Sequence, residues 1–150
     1  MFQPIPLNLP EYPFRIRHDS DVTYIFDEVR KKYLVLTPEE WVRQHFVKFL
    51  INERNYPRTL IKLEGGLTLN TLKKRSDITV FNTLGKIILL IECKAPSVKI
   101  SQKTLDQVAR YNMIHQTETV GVTNGLTHCF FKINFFNKSY EVINQLPYFS

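Results

Sequence analysis

A short, very apolar segment near the middle of the chain limits the folds that it can adopt. Five apolar residues, Ile87–Ile91, are followed directly by Glu92-Cys93-Lys94, and Pro96 stops the segment. Five residues are far fewer than the roughly 20 that a helix needs to cross a bilayer. They suit a strand inside a buried sheet, in which alternate side chains lie on opposite faces. Glu92 and Lys94 therefore share one face at the end of this strand.

The flanking sequence predicts a mixed α/β protein. Thr37-Pro38-Glu39-Glu40 predicts the start of a helix, because threonine suits the N-cap, proline the first turn and acids the positive end of the dipole. This helix should run to about Asn52, and a second should run from Ser101 to His115. Strands are predicted at residues 22–26, 33–36, 59–63, 77–81, 86–94, 119–123, 127–135 and 139–143. The pattern is typical of a central mixed sheet flanked by helices, with a β-hairpin before the first helix.

Length and composition predict one domain preceded by an extended segment. Prolines at positions 4, 6, 10 and 13 exclude a helix there, so we predict an extended segment over residues 1–21 and one domain over residues 22–150. The first residues lack the basic and apolar regions of a signal peptide. Cys93 and Cys129 are too few for a disulfide scaffold or a cysteine-rich zinc site. We therefore expect a cytoplasmic protein with no membrane partner.

The charge balance favours a polyanionic partner without proving one. The chain has 20 Lys and Arg against 14 Asp and Glu, a net charge of +6. Phosphate neutralisation with counterion release is the largest general contribution to nucleic-acid binding, so DNA or RNA is a natural partner. A charge that serves only solubility is the competing interpretation, and composition does not separate the two.

The hairpin around Thr83-Leu84 should bring a second acid towards Glu92. A symmetric loop would pair Asp77 with Leu90 and place Asp77 diagonal to Glu92 on the same face, with a Cβ separation of about 7–8 Å. Two carboxylates at that separation can share a hard cation, with Lys94 nearby. The alternative is a structural ion pair between Lys94 and one of the acids, since charged groups at the end of a buried strand need partners.

Four motifs in order carry a resemblance to a known family. Ser76-Asp77 and Glu92-Cys93-Lys94, with Glu40 in an upstream helix, resemble the PD-(D/E)xK nuclease superfamily. The chain more closely resembles the N-terminal nuclease domain of type I restriction enzyme R subunits, above all its small stand-alone relatives. The segments that carry this likeness are 36–44, 74–78, 91–96 and 123–125, and residues 107–111 resemble the Q-x-x-x-Y helix of the helicase-associated branch of the superfamily. The resemblance covers about residues 22–145 and implies a restriction-endonuclease-like core.

The resemblance implies metal-dependent hydrolysis of DNA phosphodiester bonds. Asp77, Glu92, the backbone carbonyl of Cys93 and Glu40 would hold Mg²⁺, with Mn²⁺ as a substitute, since hard cations prefer oxygen ligands. Lys94 would orient or help to deprotonate the attacking water and stabilise charge in the transition state. The expected catalytic residues are thus Asp77, Glu92, Lys94 and Glu40.

Other residues are expected to support this site or to contact DNA. Gln107 and Tyr111 lie one turn apart on the second predicted helix, and Arg75 and Arg43 are further candidates. Arg75 follows Lys73 and Lys74, which we interpret as a solvated basic turn. Glu39 competes with Glu40 for the helix-side role, and Glu64 is a rival carboxylate better interpreted as a solvated strand end.

The resemblance also implies partners and leaves two other classes open. Related domains join a helicase motor and a DNA-methylating partner, and this sequence contains no GxxxxGK[ST] phosphate loop. Cleavage of both strands generally needs two active sites, so a homodimer is a candidate assembly. The alternatives are a catalytically silent DNA-binding or assembly module on the same fold, and a structural domain with a simple ion pair.

Overall fold

The N-terminal part of the protein forms a small antiparallel sheet. The structure, a computed structural model, describes residues 2–65, 76–115 and 117–150, with side chains for all of these except 64, 65, 76, 77, 111, 114 and 115. Strands β1 (Ile16–Asp19), β2 (Val22–Asp27) and β3 (Lys32–Val35) pair in that order. The hairpin of β2 and β3 was predicted, whereas β1 was not. Strand β1 lacks a clear alternation of its own and is defined by its pairing with β2.

Helix α1 (Pro38–Arg54) begins where the sequence predicts and continues two residues beyond Asn52. The Thr37 hydroxyl accepts a hydrogen bond from the backbone N–H of Glu40 at 3.1 Å, which confirms the predicted N-cap. Asn55 caps the C-terminal end of the helix in a left-handed backbone conformation, with a φ of 63°. Val42, Phe46 and Leu50 recur at helical spacing and are fully buried, so this face holds the helix against the main sheet.

The main sheet has six strands, in the order β4 (Ile61–Gly65), β5 (Ser76–Phe81), β6 (Ile87–Cys93), β7 (Thr119–Thr123), β8 (His128–Asn134) and β9 (Ser139–Ile143). Helix α2 (Gln102–His115) connects β6 to β7, the one parallel pair in this order. Strand β4 starts later than predicted because residues 58–60 form a 3-10 turn. The predicted mixed α/β class is confirmed. Within the described ranges, no helix is long and apolar enough to cross a membrane.

The helices cover different parts of the two sheet faces. Helix α1 packs against β5 and β6, while α2 packs mainly against β7 and β8. Ile91 and Cys93 belong to the apolar cluster under α1, and Val120 and Val122 belong to the cluster under α2. Side chains alternate along β6, so Glu92 lies on the α2 side of the sheet. On that side, α2 packs mainly against the two strands that follow β6, and the end of β6 remains accessible.

Their alternation with polar residues predicts that the late aromatic residues Phe130, Phe131, Phe135 and Phe136 form core, and the structure follows this prediction only in part. Phe130 and Phe131 are buried on opposite faces of the sheet, and Phe135 packs at the margin of the α2 cluster. Phe136 is 99% exposed, so the prediction was wrong for this residue. Phe136 lies in the turn between β8 and β9, where no neighbouring layer of structure covers it.

Candidate active site

The pairing of β5 with β6 places Asp77 directly opposite Glu92, not opposite Leu90 as predicted. Two one-residue shifts cause the difference. The backbone N–H of Asn82 bonds to the carbonyl of Lys86 at 2.8 Å, so the loop is centred on Leu84 and not between Thr83 and Leu84, which moves the partner of Asp77 by one residue. A β-bulge then lengthens β6 by one residue, between the pairs of β5 with Leu89 and Ile87. Either shift alone would place positions 77 and 92 on opposite faces of the sheet. The two shifts together keep both positions on one face.

Strand β4 adds a third acidic position to the same row. Glu64 pairs with Asp77, and Asp77 pairs with Glu92, so three acidic residues occupy aligned register positions on adjacent strands. Neighbouring strands in a sheet lie about 4.8 Å apart. We interpreted Glu64 from the sequence as a solvated strand end, and the register places it directly beside Asp77. The side chains of Glu64 and Asp77 lie outside those that the structure describes.

Glu92 and Lys94 form the accessible part of the site. Lys94 Nζ lies 3.5 Å from Glu92 Oε1, and the exposed fractions of the two side chains are 35% and 29% respectively. A pair this accessible contributes little to stability, typically less than about 1 kcal/mol. Cys93, between them, is buried in the cluster under α1, so its thiol lies away from the pair.

A turn after β7 supports the end of β6. The Thr123 carbonyl accepts a hydrogen bond from the backbone N–H of Lys94 at 2.8 Å. The side-chain amide of Asn124 donates to the Val98 carbonyl at 2.8 Å, and its oxygen accepts from the backbone N–H groups of Leu126 and Thr127. The Thr123-Asn124-Gly125 motif therefore fixes both the chain that carries Lys94 and the loop that follows it.

Gly125 allows the start of α1 to approach this end of the sheet. Its φ is +86°, and a Cβ placed there would lie 2.7 Å from Leu7 and 3.1 Å from Val42. Any larger residue would be strained and crowded at this position. Because Val42 is only two residues from Glu40, the first turn of α1 lies at the same end of the sheet as Lys94.

Glu40 is buried within a group of basic and amide side chains. It is 2% exposed and forms an ion pair with Arg43, which is fully buried. Gln44 Nε2 donates to Glu40 Oε2 at 2.9 Å, and Arg30 lies 4.0 Å from the other oxygen. Burial leaves Arg43 no exposed surface with which to contact DNA, so its place in the structure is to hold Glu40. Glu39 is partly exposed.

The N-terminal sheet contributes to this group, which the sequence analysis did not anticipate. Asp27 is fully buried and accepts from Arg30 Nε at 2.8 Å, as well as from the backbone N–H groups of Val29 and Arg30 at 2.9 Å. Arg30 thus links Asp27 to Glu40. The signal was available, because an acid that precedes a turn by two or three residues often accepts bonds from the turn.

The remaining predicted site residues are only partly covered by the structure. Gln107 lies on the exposed side of α2. Tyr111 belongs to α2, but its side chain lies outside the described ones, as do Arg75, Lys73 and Lys74 in the undescribed segment 66–75. Among the described side chains, no group of three His, Cys, Asp or Glu is arranged to hold a metal. Because the side chains of Asp77 and Glu64 are not among those described, the predicted ligand set stays a prediction.

The match to a family model decides the assignment of the chain. Residues 38–147 match the model described as the N terminus of the type I restriction enzyme R protein. The chain belongs to this family. The matched range runs from the first residue of α1 to beyond β9, and it includes Glu40, Asp77, Glu92 and Lys94 but not Asp27 or Arg30.

The other comparisons add little to this assignment. No curated protein matches the chain. A solved fragment described as an HsdR subunit of a type I restriction enzyme, from Vibrio vulnificus YJ016, is similar over 75% of this chain with 15% identity and a TM-score of 0.48. The present chain spans only 24% of that solved chain.

Proposed function

We propose that this type I restriction R-protein N-terminal domain is a metal-dependent endonuclease that hydrolyses DNA phosphodiester bonds at the ends of β5 and β6. The observation that carries the proposal is the β5–β6 register, in which Asp77 lies directly opposite Glu92. Lys94, 3.5 Å from Glu92, completes the D…ExK arrangement that defines the PD-(D/E)xK nucleases. The family membership supports the same interpretation.

Oxygen donors make the site suitable for Mg²⁺, with Mn²⁺ as a substitute. Asp77, Glu92 and the backbone carbonyl of Cys93 would hold the cation, and carboxylate and carbonyl oxygens are the ligands that Mg²⁺ prefers. The thiol of Cys93 is buried on the other face and would not compete as a soft ligand. When bound, the cation supplies an activated water and neutralises negative charge on the scissile phosphate.

Lys94 would act on the attacking water and on the phosphate. Its ammonium is accessible at the edge of the site, so it can turn from Glu92 towards a bound phosphate without exposing a buried charge. There it would orient the water and stabilise the negative charge that develops in the transition state. The hydrogen bond from Lys94 N–H to the Thr123 carbonyl fixes the backbone from which the side chain reaches.

Glu40 would support the site from the start of α1, which covers the opposite face of the sheet from Glu92. Its oxygens accept from Arg43 and Gln44, so a direct contact with the cation requires that one of these bonds be exchanged. Arg43 and Gln44 hold the Glu40 carboxylate in its orientation at the start of α1.

The physiological substrate would be DNA handled by a larger restriction assembly. These 150 residues contain no GxxxxGK[ST] phosphate loop. A helicase motor outside them would therefore translocate the DNA, and a DNA-methylating partner would belong to the same assembly. The net charge of +6 suits a phosphate backbone. Cleavage of both strands would need two such sites, which a homodimer would provide.

The test is nicking of supercoiled plasmid by the purified chain with Mg²⁺ or Mn²⁺, beside calorimetric titration of Mn²⁺. Asp77→Asn, Glu92→Gln and Lys94→Ala should each reduce the rate of nicking by at least about 100-fold. Asp77→Asn and Glu92→Gln should also weaken Mn²⁺ binding, whereas Lys94→Ala should retain it.

A matched control exists at the opposite end of β6. Lys86 Nζ and Glu118 Oε1 lie 3.9 Å apart in an exposed pair, so Lys86→Ala and Glu118→Gln make the same charge changes away from the site. Both variants should nick like the wild type. Mn²⁺ binding that depends on Asp77 without nicking would support a competent site that awaits its motor. A wild type that neither nicks nor binds Mn²⁺ would refute the proposal and leave a silent module.

A further inference from the structure

The outer face of the N-terminal sheet carries a group of rings and arginines that the proposed nuclease site does not use. Strand β2 presents Tyr24 and Phe26 on this face, β3 presents Tyr33, and the β1 segment presents Arg17, with Arg15 just before it. We call these five residues the aromatic face. Both arginines are exposed and all three rings are partly exposed.

Strand register aligns the members of the aromatic face. Arg17 pairs with Tyr24, and Phe26 pairs with Tyr33. The Arg17 guanidinium lies 4.6 Å from the centroid of the Tyr33 ring and 5.1 Å from that of Tyr24. The Arg15 guanidinium lies 4.6 Å from the Phe26 centroid, and the Phe26 and Tyr33 rings meet edge to face at 5.1 Å. The result is a continuous layer of π surfaces and planar cations.

The position of this layer is unusual for a sheet that needs only to bury its inner side. The opposite face already supplies the buried residues, since Ile25 and Asp27 are fully buried there. Outward positions of such a sheet are ordinarily polar. Three aromatic rings on adjacent strands at outward positions therefore form a surface that suits a flat ligand.

The charge around the aromatic face suits an anion. Arg15 and Arg17 lie on it, and Lys31 and Lys32 follow at the turn between β2 and β3. The nearby Glu28 carboxylate is already neutralised, because Lys48 Nζ lies 2.6 Å and Arg58 3.4 Å from it. The Asp19 carboxylate lies at the far end of β1 and would repel an anion at that end.

We propose that the aromatic face binds single-stranded DNA, with bases stacked on its rings and guanidiniums and phosphates held by Arg15 and Arg17. Every base has a π face, so stacking on aromatic side chains and arginine planes tolerates any sequence. A duplex keeps its bases inside and cannot use the rings in this way. The proposal does not depend on phosphodiester cleavage, and it concerns a surface built from β1–β3 alone.

The test measures the affinity of the full chain for a fluorescent oligothymidylate of about 12 nucleotides, within the site sizes of known single-strand binders. EDTA is present, so cleavage is excluded and failure of the nuclease proposal does not affect the result. Arg17→Ala should weaken binding about tenfold, which corresponds to the loss of one stacked base. Lys86→Ala, at the opposite end of β6 from the proposed cleavage site, should bind like the wild type.

Arg54 provides a closely matched control. Its guanidinium lies 5.2 Å from the Phe49 centroid and 4.9 Å from that of Tyr148, so it also bridges two rings, but at the end of α1. Arg54→Ala removes the same charge and the same kind of stacking and should leave the affinity unchanged. Arg17→Lys keeps the charge but loses the planar stack, and it should weaken binding to the oligothymidylate severalfold.

An abasic oligomer of equal length separates stacking from simple charge attraction. The effect of Arg17→Lys should vanish with this probe, because it offers phosphates without bases. Equal losses for Arg17→Ala and Arg54→Ala would overturn the proposal, since general charge would then explain the binding. Equal affinity of the wild type and Arg17→Ala would also overturn it, and would leave the face to a protein partner.

Discussion

Replacing Arg43 with alanine removes one half of a buried ion pair at the start of α1. Arg43 is fully buried and Glu40 is 2% exposed, so the variant leaves a carboxylate without its main partner and away from water. Gln44 would still donate to Glu40, and Arg30 would remain 4.0 Å away. The perturbation is therefore a partly compensated buried charge rather than an isolated one.

The expected decrease in the free energy of unfolding follows from this geometry. Breaking a buried ion pair by removing one partner costs about 3–5 kcal/mol, and the remaining contacts of Glu40 favour the lower end of that range. A loss of about 3 kcal/mol is a large part of the 5–15 kcal/mol that stabilises a typical domain. For a chain of this length it should lower the melting temperature by roughly 6–12 °C.

The assay is urea unfolding followed by circular dichroism, with Lys48→Ala as the control. Lys48 lies on the same helix and forms an ion pair with Glu28 at 2.6 Å, but the two side chains are 17% and 35% exposed. Loss of such an accessible pair should cost no more than about 1 kcal/mol. Both variants introduce alanine into α1, so the difference between them reports the burial of the pair.

A double variant tests whether the uncompensated Glu40 charge causes the loss of stability. Arg43→Met with Glu40→Gln removes both charges, and it should be more stable than Arg43→Ala because no uncompensated carboxylate remains. If Arg43→Ala cost no more than Lys48→Ala, or if the double variant were the least stable of all, the buried pair would not have the energetic role assigned to it.

Two further predictions concern the core and the pH dependence of stability. Gly121→Ala should destabilise the protein by roughly 1–3 kcal/mol in urea unfolding, because the added Cβ would lie 2.6 Å from Ile91 and 2.8 Å from Phe130; wild-type stability would contradict the packing. Burial lowers the pKa of His45 below its usual 6.5, against the opposing bond to the Trp41 carbonyl. The unfolded chain then binds more protons as the pH falls through 6.5, so stability should decline from pH 7 to 5, and less so in His45→Gln; parallel pH profiles would contradict this.

Local signals in the sequence predicted most elements of the fold. The N-cap at Thr37 and the apolar spacing of α1 depend on neighbours within one or two turns, and both were confirmed. Strand β7 matched its predicted limits, residues 119–123, because Asn124-Gly125 stops it. Strand β1 was missed, since its four residues become a strand only when β2 offers hydrogen-bond partners.

In the candidate site, too, local sequence predicted some features, whereas pairing between strands decided others. Alternation along β6 was enough to place Glu92 on the face away from Cys93, as the structure has it. The partner of Asp77 was predicted wrongly, because register depends on the centre of the loop and on the bulge in β6, neither of which leaves a clear mark in composition. The alignment of Glu64 with Asp77 needs the pairing of β4 and β5, which residues 66–75 separate in the sequence.

The amino-acid sequence by itself determined the start of α1, the very apolar central strand and the residue types at its end, because these depend on contacts between residues close in the chain. Tertiary structure decided which acidic positions align across β4, β5 and β6. It also buried Glu40 beside Arg43 of the same helix and Arg30 of the N-terminal hairpin. The physical reason is that register and burial depend on distant segments, so a change of one residue in a loop or bulge alters which side chains become neighbours.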